Sequence, residues 1–111
     1  MKTDRVYLGH ILDAIEQIEA YTSDLDHQSF FAFKMVQDAV ARQLEILGEA
    51  SRQLSAETCE RASEVPWHAI VGMRNRIAHE YIDIDLDVIW EVISGDLPAL
   101  KEQVVRLLHV V

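Results

Sequence analysis

Apolar residues recur at intervals of three and four along most of this 111-residue chain, and a helix is the structure that gathers such spacing onto one face. From Thr3 to about Tyr21 they fall at Tyr7, Leu8, Ile11, Leu12, Ile15 and Ile18. Thr3 is placed to cap that helix, and Asp4 to sit favourably in its first turn. Thr22 through Gln28 is polar and reads as a loop. A second helix is predicted from about Ser29 to Leu54, with Phe33, Val36, Val40, Leu44, Leu47 and Leu54 along one stripe. Phe30, Phe31, Met35 and Ile46 widen the stripe beyond the needs of one neighbouring helix, and Gly48 within it suits close helix packing. Ser55 to Glu64 is polar and short, a loop or a helical turn or two. Pro66 has the fixed φ of a first helical turn, and Trp67, Ile70, Met73 and Ile77 follow at helical spacing. Ile82 to Asp85 alternates but is too short for a strand; Asp85 reads as an N-cap, with Ile84 and Ile89 as a hydrophobic staple. Leu86, Ile89, Trp90, Ile93, Leu97, Leu100, Val104 and Leu107 define a last helix. Pro98 should kink or split it, because its ring displaces the carbonyl of Ser94. These segments predict an all-α fold: an antiparallel four-helix bundle with an additional short helix or turn, one domain over residues 1–111.

Composition narrows the functions open to such a bundle. Half the residues are apolar, with four Gly and two Pro, as in a packed globule. A single cysteine, Cys59, allows no intrachain disulfide and suits a reducing compartment; its plain role is that of a small buried side chain. No apolar run approaches the roughly 18 residues of a membrane span, so a cytoplasmic location is expected. The net charge of −9 argues against tight nonspecific binding to long duplexes. It leaves room for a small basic site in an acidic shell, or for a basic protein partner. The five histidines show neither an HExxH pattern nor Cys/His pairing, and Asp83, Asp85, Asp87 and Glu91 read as a solvated face. Neither a metal nor a cofactor is expected. A glycine-rich phosphate loop is missing, and no Ser-His-Asp arrangement stands out.

One stretch concentrates the chemistry: Arg74-Asn75-Arg76-Ile77-Ala78-His79-Glu80-Tyr81. Fixed positive charge beside a group that titrates near neutral pH is what phosphodiester chemistry without a metal requires. Arg74 and His79 are five residues apart, so on an unbroken helix they would point about 140° apart. Either the helix ends near Ala78, or the two side chains meet across a subunit boundary. Beyond a helix end, His79 and Tyr81 would share one side of an extended segment.

Arg74, four residues, His79, one residue and Tyr81 make an R-x4-H-x-Y motif that resembles HEPN-domain proteins, in particular the HepT-like toxin branch. The resemblance extends to Leu47-Gly48-Glu49-Ala50-Ser51, to the run from Pro66 through Asn75, and to Val88-Ile89-Trp90 followed by Leu97-Pro98-Ala99-Leu100. It implies a HEPN-like helical bundle that forms a homodimer, with metal-independent RNase activity at the subunit interface. It also implies a partner antitoxin of the minimal nucleotidyltransferase (MNT) type, which can silence the toxin by adding AMP to the motif tyrosine, here Tyr81. The residues suit that chemistry. Arg74 can clamp a phosphate through two parallel hydrogen bonds, and His79 can exchange a proton near pH 7, with Asn75, Arg76 and Tyr81 in support. One imidazole is thin for both acid and base roles, whereas a twofold dimer would bring two into one cleft. Two other readings stay open: a non-catalytic adaptor that binds a nucleotide or docks a nucleotidyltransferase, and a helical dimer module without chemistry.

Overall fold

A computed structural model of the chain describes residues 3–80 and 85–111, with residues 74–80 described by their backbone path alone. Its elements are α1 (Asp4–Thr22), α2 (His27–Phe31), α3 (Lys34–Arg52), α4 (Ala56–Glu60), α5 (Trp67–Glu80), α6 (Leu86–Glu91), a π-helical turn (Val92–Asp96) and α7 (Leu97–Leu108). The expected periodicity becomes the core directly. Leu8, Ile11, Ile15 and Ile18 of α1 have no exposed surface, and they face Leu97, Leu100, Val104 and Leu107 of α7 and Val40, Leu44 and Leu47 of α3 in one cluster. Helix α1 packs on α3 and α7, and α3 packs on α5.

Side-chain contacts fix the directions of these helices. Arg5, early in α1, donates from Nη1 to the carbonyls of Leu108 (2.9 Å), the last residue of α7, and Val111 (3.1 Å), just beyond it. Lys101, early in α7, reaches Glu19, late in α1, at 2.8 Å. The two helices therefore run antiparallel. Asp4 in the first turn of α1 likewise reaches past the end of α3: its carboxylate accepts the Ser55 N–H (3.0 Å), the Ser55 hydroxyl and the Thr58 hydroxyl (2.5 Å). Four long helical segments in this antiparallel arrangement, with α2 and α4 as short additions, are the all-α bundle the sequence predicts.

The helix predicted over Ser29–Leu54 is two helices, not one. The first begins earlier, inside the expected loop, because Asp26 and Ser29 form a capping box. The Ser29 N–H donates to Asp26 Oδ1 at 2.8 Å, and the Asp26 N–H donates to Ser29 Oγ at 2.9 Å. The chain then leaves helical geometry at Phe33 (φ −114°, ψ 82°). Gln37 supplies the donors that this break removes, its Nε2 bonding the carbonyls of Phe30 (2.9 Å) and Phe31 (3.0 Å). The break turns Phe30 fully into the core and leaves Phe33 41% and Met35 71% exposed, so Phe33 is not part of the buried stripe.

Other local expectations hold with amendments. Thr3 has N-cap geometry but its side chain makes no capping bond. Of the two forms expected for Ser55 to Glu64, the helical turn is the one present: Ser55 caps α4, its hydroxyl accepting the Thr58 N–H at 3.2 Å. Pro66 stands just before α5, and its carbonyl accepts the Ile70 N–H at 3.1 Å. Pro98 splits the last helix: α6 passes into the π turn, and α7 restarts with Pro98 in its first turn, where a missing N–H costs nothing. The buried hydroxyls of Thr22 and Ser51 donate back to Ile18 and Leu47, each at 2.8 Å.

Candidate functional site

Helix α5 carries the candidate residues, and its first half is firmly seated. The Trp67 indole Nε1 donates to the Ala62 carbonyl at 3.1 Å, and Trp67, Ile70 and Met73 pack half-buried against the core. The helix then runs through Glu80. An end near Ala78 is therefore not what the backbone shows. The stretch from Ile77 to Glu80 contains no Gly or Pro, and Ala78 and Glu80 are strong helix formers. Arg74, Asn75, Arg76 and His79 thus occupy one continuous helix. Positions 75, 76 and 79 share a face, because residues three and four apart are neighbours on a helix. Position 74 lies about 140° from position 79 and about 7.5 Å along the axis. The extended pairing expected for His79 and Tyr81 fails at His79, which is helical; Tyr81 and Ile82 to Ile84 lie outside the described residues.

The next described segment begins at Asp85. Asp85 caps α6 as expected, its Oδ1 accepting the Asp87 N–H at 2.9 Å. Of the expected staple, Ile89 is buried, and Ile84 lies outside the described residues. Asp87 in turn pairs with His27 Nε2 of α2 at 3.0 Å. The His27 ring leans on Phe31 (centroids 4.5 Å apart) and meets Trp90 edge-on at 6.1 Å. Sequence alone did not reveal this clasp, since 60 residues separate His27 from Asp87. The motif is therefore bracketed by two fixed points, the Trp67–Met73 half-helix and the α2–α6 clasp.

Charge placement singles out the motif further. Outside residues 74–84 every described lysine and arginine is engaged. Lys34, Arg42, Arg52, Arg61, Lys101 and Arg106 pair with Asp38, Glu45, Glu49, Glu57, Glu19 and Glu64, and Arg5 holds the carbonyls at the end of α7. Among the described residues, no three His, Cys, Asp or Glu side chains are grouped to hold a metal ion. Burial, with help from the Asp4 carboxylate, pushes the Cys59 thiol above its ordinary pKa, which disfavours the reactive thiolate. Among the described residues, no helix is long and apolar enough to cross a membrane.

An all-α bundle with Arg and His on a single helix is the architecture of a HEPN-like domain. The chain belongs to the ribonuclease HepT-like family, which it matches over residues 11–107. It is 41% identical, over 97% of its length, to a Methanocaldococcus jannaschii protein whose name couples gamma-glutamylcyclotransferase with a provisional RNase assignment. It spans 49% of that relative's length. A provisionally named RNase from Caldanaerobacter subterraneus is 39% identical, with 98% of this chain and 97% of the relative aligned. A Thermococcus cleftensis protein named as a probable ribonuclease HepT is 35% identical, with 96% of each chain aligned. No solved structure matches the chain.

Proposed function

We propose that this chain is a metal-independent endoribonuclease, the toxin of a pair whose antitoxin is a minimal nucleotidyltransferase. The observation that carries the proposal is the run from Arg74 to His79 on one helix of a ribonuclease HepT-like chain, in a molecule whose other described cations are already committed. Internal RNA cleavage needs a base for the 2′-hydroxyl, an acid for the departing 5′-oxygen, and positive charge on the pentacoordinate phosphorus. Arg74 supplies the charge through a bidentate contact that strengthens as the transition state forms. His79 exchanges the proton.

The helical spacing bears on how these groups cooperate. Positions 74 and 79 lie about 140° apart on one helix, which favours a site shared between two chains over one built by a single chain. A twofold homodimer apposing two α5 helices pairs the Arg74 face of each with the His79 face of the other, and supplies two imidazoles as acid and base. The same cleft concentrates positive charge in a chain of net charge −9. Tyr81 comes directly after Glu80 in the sequence and is, on this reading, the group the partner esterifies with AMP. The adduct would set a phosphate against Arg74 and Arg76 and a nucleoside in the RNA path.

Incubation of purified protein with total RNA in EDTA, with mapping of the ends, tests this reading. Cleavage should persist under chelation and leave 2′,3′-cyclic phosphate or 3′-phosphate ends. His79→Ala should lower the rate by at least about 10²-fold, the usual cost of losing acid–base catalysis. Arg74→Lys should also be poor, because an ammonium cannot reproduce the planar fork. Full activity in His79→Ala would move the chain to the adaptor reading, with Arg74 a phosphate ligand alone.

A further inference from the structure

Beside the motif helix the bundle is open. A groove of about 280 Å³ lies between α3, the first half of α5, the π turn and α7. Its walls are apolar, with Leu47, Ile70, Met73, Leu97 and Leu100 among them. Among the described residues its charged lining is of one sign: Glu64, Asp96 and Glu102 line it and no lysine or arginine does. Glu64 is 3.6 Å from Arg106, whereas Asp96 and Glu102 have no ionic partner among the described residues. Two exposed alanines, Ala69 on α5 and Ala99 on α7, also line it. The wall contributed by the π turn is the one stretch where the last helix departs from α geometry.

We propose that this groove docks a basic amphipathic helix of a partner protein, its apolar side chains among Ile70, Leu97 and Leu100 and its Lys or Arg side chains against Asp96 and Glu102. Charge selects this occupant. A second copy placed symmetrically would bring the same acidic rim against itself, in a chain already at −9. A nucleic acid strand would meet the same carboxylates. Apolar anchors flanked by cations match both the walls and the rim, in the manner of helix-in-groove recognition. Met73 lines the groove and Arg74 follows it in sequence, so the docked helix lies along the element that carries the motif. The inference stands whether or not the chain cleaves RNA.

The test uses a fluorescein-labelled amphipathic helix of leucine and lysine as probe, with a leucine–glutamate helix of the same pattern beside it, read by fluorescence polarisation. The lysine peptide should bind the intact chain, more weakly as salt is raised, and the glutamate peptide should not. Ala69→Arg or Ala99→Arg, both at exposed positions, should block the groove. Asp96→Asn/Glu102→Gln should weaken binding by at least about tenfold, as expected for two charge contacts at a partly desolvated rim. Asp13→Asn/Asp24→Asn removes the same charge away from the groove and should change affinity by less than about twofold. Circular dichroism confirms that each variant is folded. Failure of the parent to bind the lysine peptide would overturn the proposal, as would equal weakening in the Asp13/Asp24 control or parent-like binding by both blocking variants. So would a dimer in sedimentation that Ala99→Arg, on α7 and not on the α5 helix proposed to pair, dissociates, since the groove would then be filled by a second copy.

Discussion

Asp4 ties the start of α1 to the start of α4, and removing its carboxylate should cost measurable stability. Burial alone would raise the Asp4 carboxyl, but hydrogen bonds from the Ser55 and Thr58 hydroxyls and the Ser55 N–H outweigh it and hold the group below the ordinary carboxylate value. Each bond to a buried carboxylate would contribute about 1.5–3 kcal/mol; at this partly exposed site we discount each to about 0.5–1. Three such bonds, plus a small gain from a negative charge in the first turn of α1, put Asp4→Ala at about 2 kcal/mol. In a domain of this size that lowers Tm by about 8 °C. Ser55→Ala loses one of the bonds and the α4 cap, about 1 kcal/mol, and the double variant should be less destabilised than the sum. The pH dependence has a definite sign. Because the folded value is depressed, the stabilisation is fully present above the unfolded value of about 4 and is lost as pH falls through the folded one. Urea unfolding of parent and Asp4→Ala at pH 7, 5 and 3 measures this as the difference between the two curves. That difference should be flat from pH 7 to 5 and shrink by pH 3. A variant as stable as the parent at pH 7, or a difference that persists undiminished at pH 3, would refute the argument.

Phe30→Ala should cost about 3–5 kcal/mol, as for other fully buried aromatics, while Phe33→Ala should cost less than about 1; denaturant titration of both checks where the second helix breaks. Gly72 lies in the middle of α5 with nothing within 4 Å of an added Cβ, so Gly72→Ala should gain up to about 1 kcal/mol of helix propensity, seen as a rise in Tm. A rise in Tm combined with lost RNA cleavage would mark this face of α5 as one that RNA or a second copy approaches closely. Tyr81→Phe, co-expressed with a neighbouring nucleotidyltransferase, should gain no AMP by mass spectrometry and keep at least part of its cleavage; an unmodified Tyr81 in inhibited protein would leave steric blocking by the partner instead.

Where structure follows from spacing within a few turns, the sequence disclosed it. The 3-4-3 pattern of Leu8, Ile11, Ile15 and Ile18 became a fully buried face, Asp85 became a cap, and Pro98 became a split. The failure at Ala32–Phe33 has a clear cause. The apolar pattern runs on through the break, and what stabilises the break is the amide of Gln37, which bonds carbonyls six and seven residues back. Periodicity carries no trace of such a contact. Asp26 and Ser29 did carry a local capping signal, and polarity hid it by suggesting a loop. In the candidate site, residue types and spacing marked Arg74 and His79 while leaving the helix end open. That end depends on propensity over a single turn, which is too weak to locate from composition. The acidic groove escaped notice because its lining comes from α3, α5, the π turn and α7, which are distant in the chain.

The clasp between Arg5 and the carbonyls at the end of α7 joins positions 106 apart, nearly the greatest separation this chain allows. Forming it in an open chain would require closing a loop at an entropic cost of roughly 4 kcal/mol, far more than an exposed hydrogen-bonded pair returns. It can therefore form only after α1 and α7 have docked through Leu8, Ile11, Leu100 and Val104, when closure costs almost nothing. A contact formed after that docking would act mainly on the rate of unfolding. Arg5 would then slow the opening of the assembled bundle by the small amount an exposed pair allows, and leave its assembly unchanged.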